Sequence, residues 1–138
     1  MKGRTLVFLG CLLFSGMGGY SEIVEAADSE MTKTISGGGV TAKVTYLNPK
    51  DNNDEPRFQI VLDTHSANLD AYDLKTITAL RDDTGKTYLA TGIENKGSGH
   101  HREATLTFPK VSPESKRFEV IIKDVAGVKE RAFRWNLQ

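Results

Sequence analysis

Three features of the sequence predict an all-β protein folded as an antiparallel β-sandwich. Apolar residues recur at every second position along most of the chain, the pattern of strands with one buried and one solvated face. Clusters of Gly, Pro, Asn and Asp interrupt these runs at short intervals. No apolar stripe of period 3.6 extends far enough to make a long helix.

The elements follow in order. A short first strand is placed at 31–35, and Ser36-Gly37-Gly38-Gly39 turns it into the next. There Val40, Ala42, Val44 and Tyr46 alternate with Thr41, Lys43 and Thr45. A polar loop from Asn48 to Pro56 follows, and its prolines stop the ladder. Phe58, Ile60 and Leu62 form the inward row of the next strand. Strands are predicted at 76–81 and 86–92, joined by Asp82-Asp83-Thr84-Gly85. Ala104, Leu106 and Phe108 mark a further strand, and Phe118, Val120 and Ile122 another. Ala126-Gly127 offers the last hairpin, and Phe133, Trp135 and Leu137 share one parity on the final strand. That parity makes Phe133 and Trp135 core residues rather than exposed stacking platforms. Roughly seven or eight strands at this spacing make an immunoglobulin-like topology the expected solution. Such a fold carries no activity by itself.

The chain has 138 residues. Residues 1–26 read as a secretory signal peptide. Lys2 and Arg4 give a basic start, and twelve residues from Leu6 to Met17 form an apolar run too short to span a bilayer. Val24-Glu25-Ala26 supplies small residues for cleavage after Ala26, leaving 27–138 as one β-sandwich domain. The alternative is a lipid anchor at Cys11, because Phe8-Leu9-Gly10-Cys11 resembles a lipobox. Against it, Phe8 stands where Leu is usual, and Leu12, Leu13 and Phe14 continue the apolar run where a polar tether belongs. The predicted location is therefore extracytoplasmic, periplasmic or secreted, with no transmembrane segment in the mature chain.

Cys11 is the sole cysteine, so a chain cut at Ala26 has no disulfide, no thiolate nucleophile and no Cys-ligated metal. The 18 basic side chains equal the 18 acidic ones, and removing 1–26 takes two of each. No basic field is left to attract nucleic acid or anionic lipid.

The histidines carry the chemical interest. His65 follows the strand ending at Asp63, and His100 and His101 follow Gly97-Ser98-Gly99. Neutral imidazole is a common ligand of zinc and copper, and three such nitrogens suit an open zinc site. The candidate metal site is thus His65, His100 and His101, with Asp63 as fourth ligand or as the carboxylate orienting a ligand. It requires irregular backbone, since adjacent residues on a strand face opposite ways. A calcium loop at Asp51-Asn52-Asn53-Asp54-Glu55 lacks the glycine and distal glutamate of an EF-hand, and a solvated loop is the preferred reading. Asp63, Asp70 and Asp73 surround Leu69 and Leu74, which read as anchors of a connection between two sheets. Catalysis has little support. Asp63, His65 and Ser66 are too close in sequence for a triad, and no GxSxG elbow occurs.

The stretches DTHS, GHHR and KDVAGVKERAFRW resemble those of small, uncharacterised exported bacterial proteins with an immunoglobulin-like β-sandwich. The resemblance covers most of the mature chain and implies no activity. The function expected is an exported, non-catalytic binding or accessory protein whose partner is a protein or small ligand. The alternative is an extracytoplasmic protein that binds a zinc or copper ion through its histidines.

Overall fold

The structure is a computed structural model that describes residues 30–51 and 54–137. The segment 1–26 predicted as a signal peptide, with Cys11, and the central asparagines of the 51–55 loop lie outside the described residues. Among the described residues nine strands run in the order β1 (Thr32–Gly37), β2 (Val40–Tyr46), β3 (Arg57–Thr64), β4 (Thr78–Asp82), β5 (Thr87–Leu89), β6 (Gly92–Ser98), β7 (His101–Thr107), β8 (Arg117–Val125) and β9 (Val128–Asn136). One sheet has the order β1-β2-β3-β7-β6 and the other β5-β4-β8-β9. All pairings are antiparallel. No helix among the described residues is long and apolar enough to cross a membrane.

Alternation decides which side chains meet. Val40, Ala42, Val44 and Tyr46 of β2 are buried, as are Phe58, Ile60 and Leu62 of β3. They join Leu106, Phe118, Val120, Ile122, Phe133 and Trp135 in one core between the sheets. Aromatic rings concentrate at one end. Tyr46 stacks on Phe58 at 5.0 Å and meets Phe118 edge-on at 5.3 Å. Phe58 lies 5.3 Å from Trp135.

The expected strand count is too low, and the difference arises at 86–98. A single strand was predicted at 86–92, but β5 ends at Leu89 and the chain changes sheets to form β6. From Glu94 to Ser98 every residue of β6 is exposed, so no apolar alternation announces this strand. Residues 76 and 77 also depart from the predicted strand. They end a short helix α1 (Leu74–Ile77), after a 3-10 turn at Leu69–Ala71. The Asn68 side chain accepts from the Asp70 N–H at 2.9 Å, and Asp73 accepts from the Lys75 N–H at 3.1 Å, which starts each turn. Leu69 and Leu74 are fully buried and anchor this connection as predicted.

Among the described residues, two acidic or basic side chains lie inside the fold, Asp82 and Arg131. Asp82, 4% exposed, accepts from the hydroxyls of Thr84 (2.5 Å) and Tyr88 (2.8 Å) and from the N–H groups of Thr84 and Lys86. Burial alone pushes its carboxyl up, but these four donors outweigh it and hold the group below the usual carboxylate range. Arg131, 1% exposed, donates to the carbonyls of Val125 (3.0 Å) and Gly37 (2.6 Å), and its Nε has no partner. Burial lowers its pKa, partly offset by the nearby Tyr72. Because Gly37 belongs to β1, Arg131 ties an edge of one sheet to β9 of the other. The Trp135 Nε1 bond to the Met31 carbonyl (3.2 Å) closes the same seam farther along.

Candidate functional site

The candidate site is the end of the sandwich that carries the histidines. Four turns meet there, and backbone bonds tie them together. The Thr64 N–H donates to the His100 carbonyl at 3.0 Å, and the Leu69 N–H donates to the Gly99 carbonyl at 2.9 Å. These bonds place the start of the 65–77 connection directly beside the β6–β7 turn. Asp70 accepts from the Gly99 N–H at 2.8 Å, which fixes the turn from its other side. Arg102 donates to the carbonyls of Leu69 (2.9 Å) and Tyr72 (3.3 Å), so a β7 side chain holds the same connection.

Two further turns join the cluster. The Thr64 hydroxyl donates to the Gly39 carbonyl at 2.9 Å and accepts from the N–H groups of Ser66 and Ala67. The Tyr72 hydroxyl accepts from the Ala126 N–H at 3.0 Å, bringing in the β8–β9 turn. At Gly38, with φ +61°, a Cβ would stand 2.2 Å from the Ala126 carbonyl oxygen, so only glycine allows the two turns to touch. Ala126 and Asp124 themselves have φ of 51° and 54°, unfavourable for residues with a Cβ.

On this frame the predicted residues occupy distinct places. Asp63 and His101 face each other in the β3–β7 register. The His101 Nδ1–H donates to the Asp63 carboxylate, and both side chains are more than half exposed. A carboxylate only accepts, so the proton of this bond belongs to Nδ1. When the ring is neutral, Nε2 is then its lone-pair nitrogen. His100 occupies the second position of the two-residue β6–β7 turn, after Gly99 at φ +69°. His65 is exposed in the bend after β3.

All four predicted residues come to one end of the sandwich, and His101 and Asp63 are paired there. Among the described residues no group of three or more His, Cys, Asp or Glu side chains is placed to hold a metal ion. His101 is the first residue of a regular strand, opposite Asp63, while His100 sits in the turn before it. Asp63 consequently orients one ring. Asp70 and Asp73, read as a possible second acidic set, cap turns and bond backbone N–H groups.

Sequence reasoning passed over the residues that hold this end together. Arg131 was signalled by parity, since it stands at the same alternate positions as Phe133 and Trp135 and faces inward with them. Arg102 and Tyr72 carried no such signal, because their partners are backbone carbonyls and N–H groups in other segments. No protein-family model matches the chain, and no curated protein or solved structure matches it.

Proposed function

We propose that this protein is an exported, non-catalytic binding module of immunoglobulin-like topology that engages its partner through the histidine-bearing end. The strand orders support the topology. β2-β3-β7-β6 corresponds to the A-B-E-D sheet, and β5-β4-β8-β9 to C′-C-F-G, with β1 as an additional edge strand. In that correspondence the 65–77 connection, the β6–β7 turn and the β8–β9 turn are the B–C, D–E and F–G loops of one end. Such loops on a rigid sandwich are a common binding surface.

One observation carries the reading. Four separate segments are cross-bonded into a fixed surface, and the side chains it displays, His65, His100 and the Asp63–His101 pair, are exposed. A preorganised display loses little entropy on binding. The test is site-specific photo-crosslinking in the producing cell, with the probe at position 65 or 100 and a control at Lys43 on the outer face of β2. Discrete adducts at 65 and 100 but not at 43 are expected, and their absence from both loop positions would reject the reading. The signal-peptide part is checked separately by N-terminal sequencing of the exported protein, which should begin at Ala27.

The Asp63–His101 pair favours a second reading, in which the protein binds zinc or copper. A carboxylate that accepts a hydrogen bond from Nδ1–H is the usual support of an imidazole ligating through Nε2. His65 and His100 would complete the set after local rearrangement. Zinc and copper titrations of the exported protein and of His101→Ala decide it. Stoichiometric binding lost in the variant supports the site, and binding indifferent to His101 removes it.

A further inference from the structure

We propose that the protein exchanges its β1 strand with a second copy, each copy's β1 leaving its own β2 to pair with β2 of the other across a two-fold axis. Among the described residues β1 has one neighbour in its sheet, and its residues pair with β2 from Thr32–Thr45 to Gly37–Val40 without an offset. Opening the hairpin lets the same register run on through the axis, with Gly38 of one copy opposite Gly39 of the other. Every bond between β1 and β2 is then remade between copies. Only the hinge and the cost of association separate the two forms.

The hinge is the second observation. Gly37, Gly38 and Gly39 are consecutive, and in the closed turn Gly38 and Gly39 have φ of 61° and 78°, the left-handed pair of a two-residue hairpin. Glycine adopts the extended backbone of an opened hairpin as well. A Cβ at Gly38 would stand 2.2 Å from the Ala126 carbonyl oxygen, and one at Gly39 would stand 3.3 Å from the Ser66 hydroxyl. The closed turn therefore depends on glycine at both positions, whereas a continuous strand accepts any residue there except proline.

Beyond the hairpin β1 is held by few groups. None of its residues is fully buried, and Ile35 is its one large apolar side chain. Its other ties go to β9. Arg131 donates to the Gly37 carbonyl, Trp135 donates to the carbonyl of Met31 just before the strand, and the Lys33 ammonium lies 5.9 Å from the Trp135 ring centre. The place for β1 is thus completed only when a segment ninety-four residues away has folded, and closing so long a loop is slow. Until then β1 of either copy can fill it. The hinge lies at the histidine-bearing end, so exchange brings those ends of the two copies toward each other, although it does not depend on what that end binds.

The experiment mixes two forms of the exported protein, Ser36→Cys and Thr41→Cys, refolds them together at millimolar concentration and oxidises them. The two hydroxyls are 2.9 Å apart across the β1–β2 pair, so a disulfide between unlike chains reports β1 of one copy on β2 of the other. Unlike dimers should exceed both like dimers. Ser36→Cys mixed with Thr45→Cys, which is not opposite it, should show no such excess. Gly38→Ala should lower the dimer dissociation constant in sedimentation equilibrium about a hundredfold, about tenfold for each chain relieved of the left-handed turn. A folded Gly38→Ala protein that associates no more than the parent overturns the proposal. So does an unlike disulfide no commoner than the like ones, and that measurement, made with the natural hinge, decides the matter if Gly38→Ala fails to fold.

Discussion

Asp82 and Arg131 are both charged and both buried, yet the fold treats them differently. Asp82 lies within a short hairpin, and its four donors come from Thr84, Lys86 and Tyr88, all within six residues. The turn that places the carboxylate also supplies its bonds. Arg131 reaches across the molecule to Gly37, ninety-four residues away, and finds two carbonyls but no carboxylate. Its Nε is left without a partner. A buried charge satisfied locally stabilises the segment that carries it. A buried charge satisfied only by dipoles of another sheet mainly fixes how the two sheets meet.

The largest effect should separate these roles. Arg131→Ala removes the largest fully buried side chain, leaves the Gly37 and Val125 carbonyls without their donor, and should cost about 4 kcal/mol in chemical unfolding. Arg131→Met keeps most of the volume but also leaves the two carbonyls without a donor, and should cost about 2 kcal/mol, less than the Ala variant. A Met variant as damaged as the Ala variant would show that the guanidinium bonds, and not the packing, close the seam.

Asp82→Ala should cost about 3 kcal/mol, since it leaves buried donors unpaired. Asp82 also sets an acid limb. Its folded pKa is held below the unfolded value, so its contribution is complete above the ordinary carboxylate range near pH 4. That contribution is lost as pH falls from there toward the folded value. Unfolding midpoints measured from pH 6 to pH 2 should fall less steeply in Asp82→Asn than in the parent protein.

Surface charges should matter least. Glu119 accepts from Arg134 and Arg81, which together hold its carboxyl below the usual range, and the three span neighbouring strands of the outer face. Both arginines are substantially exposed. Glu119→Gln should therefore cost at most about 1 kcal/mol, and less in high salt. Asp63→Asn, at a more exposed pair, should change stability by less than about 0.5 kcal/mol. A larger loss there would make the Asp63–His101 pair structural and weaken the case for it as a binding surface.

How much of this was legible in the sequence varies by region. The inward rows of β2, β3, β8 and β9 followed directly from alternation, because one face of each strand meets the opposite sheet. β6 was not legible. It is an edge strand with an exposed tail, held by its bonds to β7 and by little apolar burial, so its sequence GIENKGS has no periodic signal. At the candidate site the neighbourhood of His65, His100 and His101 was foreseen. Which of the two adjacent histidines begins a strand was not, because the two-residue turn sets that choice.

By itself the sequence determined the sheet-forming character of the chain, most of the strand rows and the apolar core, because those depend on a repeat of two read along a single segment. It also determined that the described part of the chain contains no thiol chemistry. Only the tertiary structure decided the change of sheet after β5, the pairing of Asp63 with His101 and the burial of Arg131 against β1. Each of these joins groups distant in sequence or depends on how closely neighbouring segments pack, and a hydrogen bond is made or lost within a few tenths of an ångström.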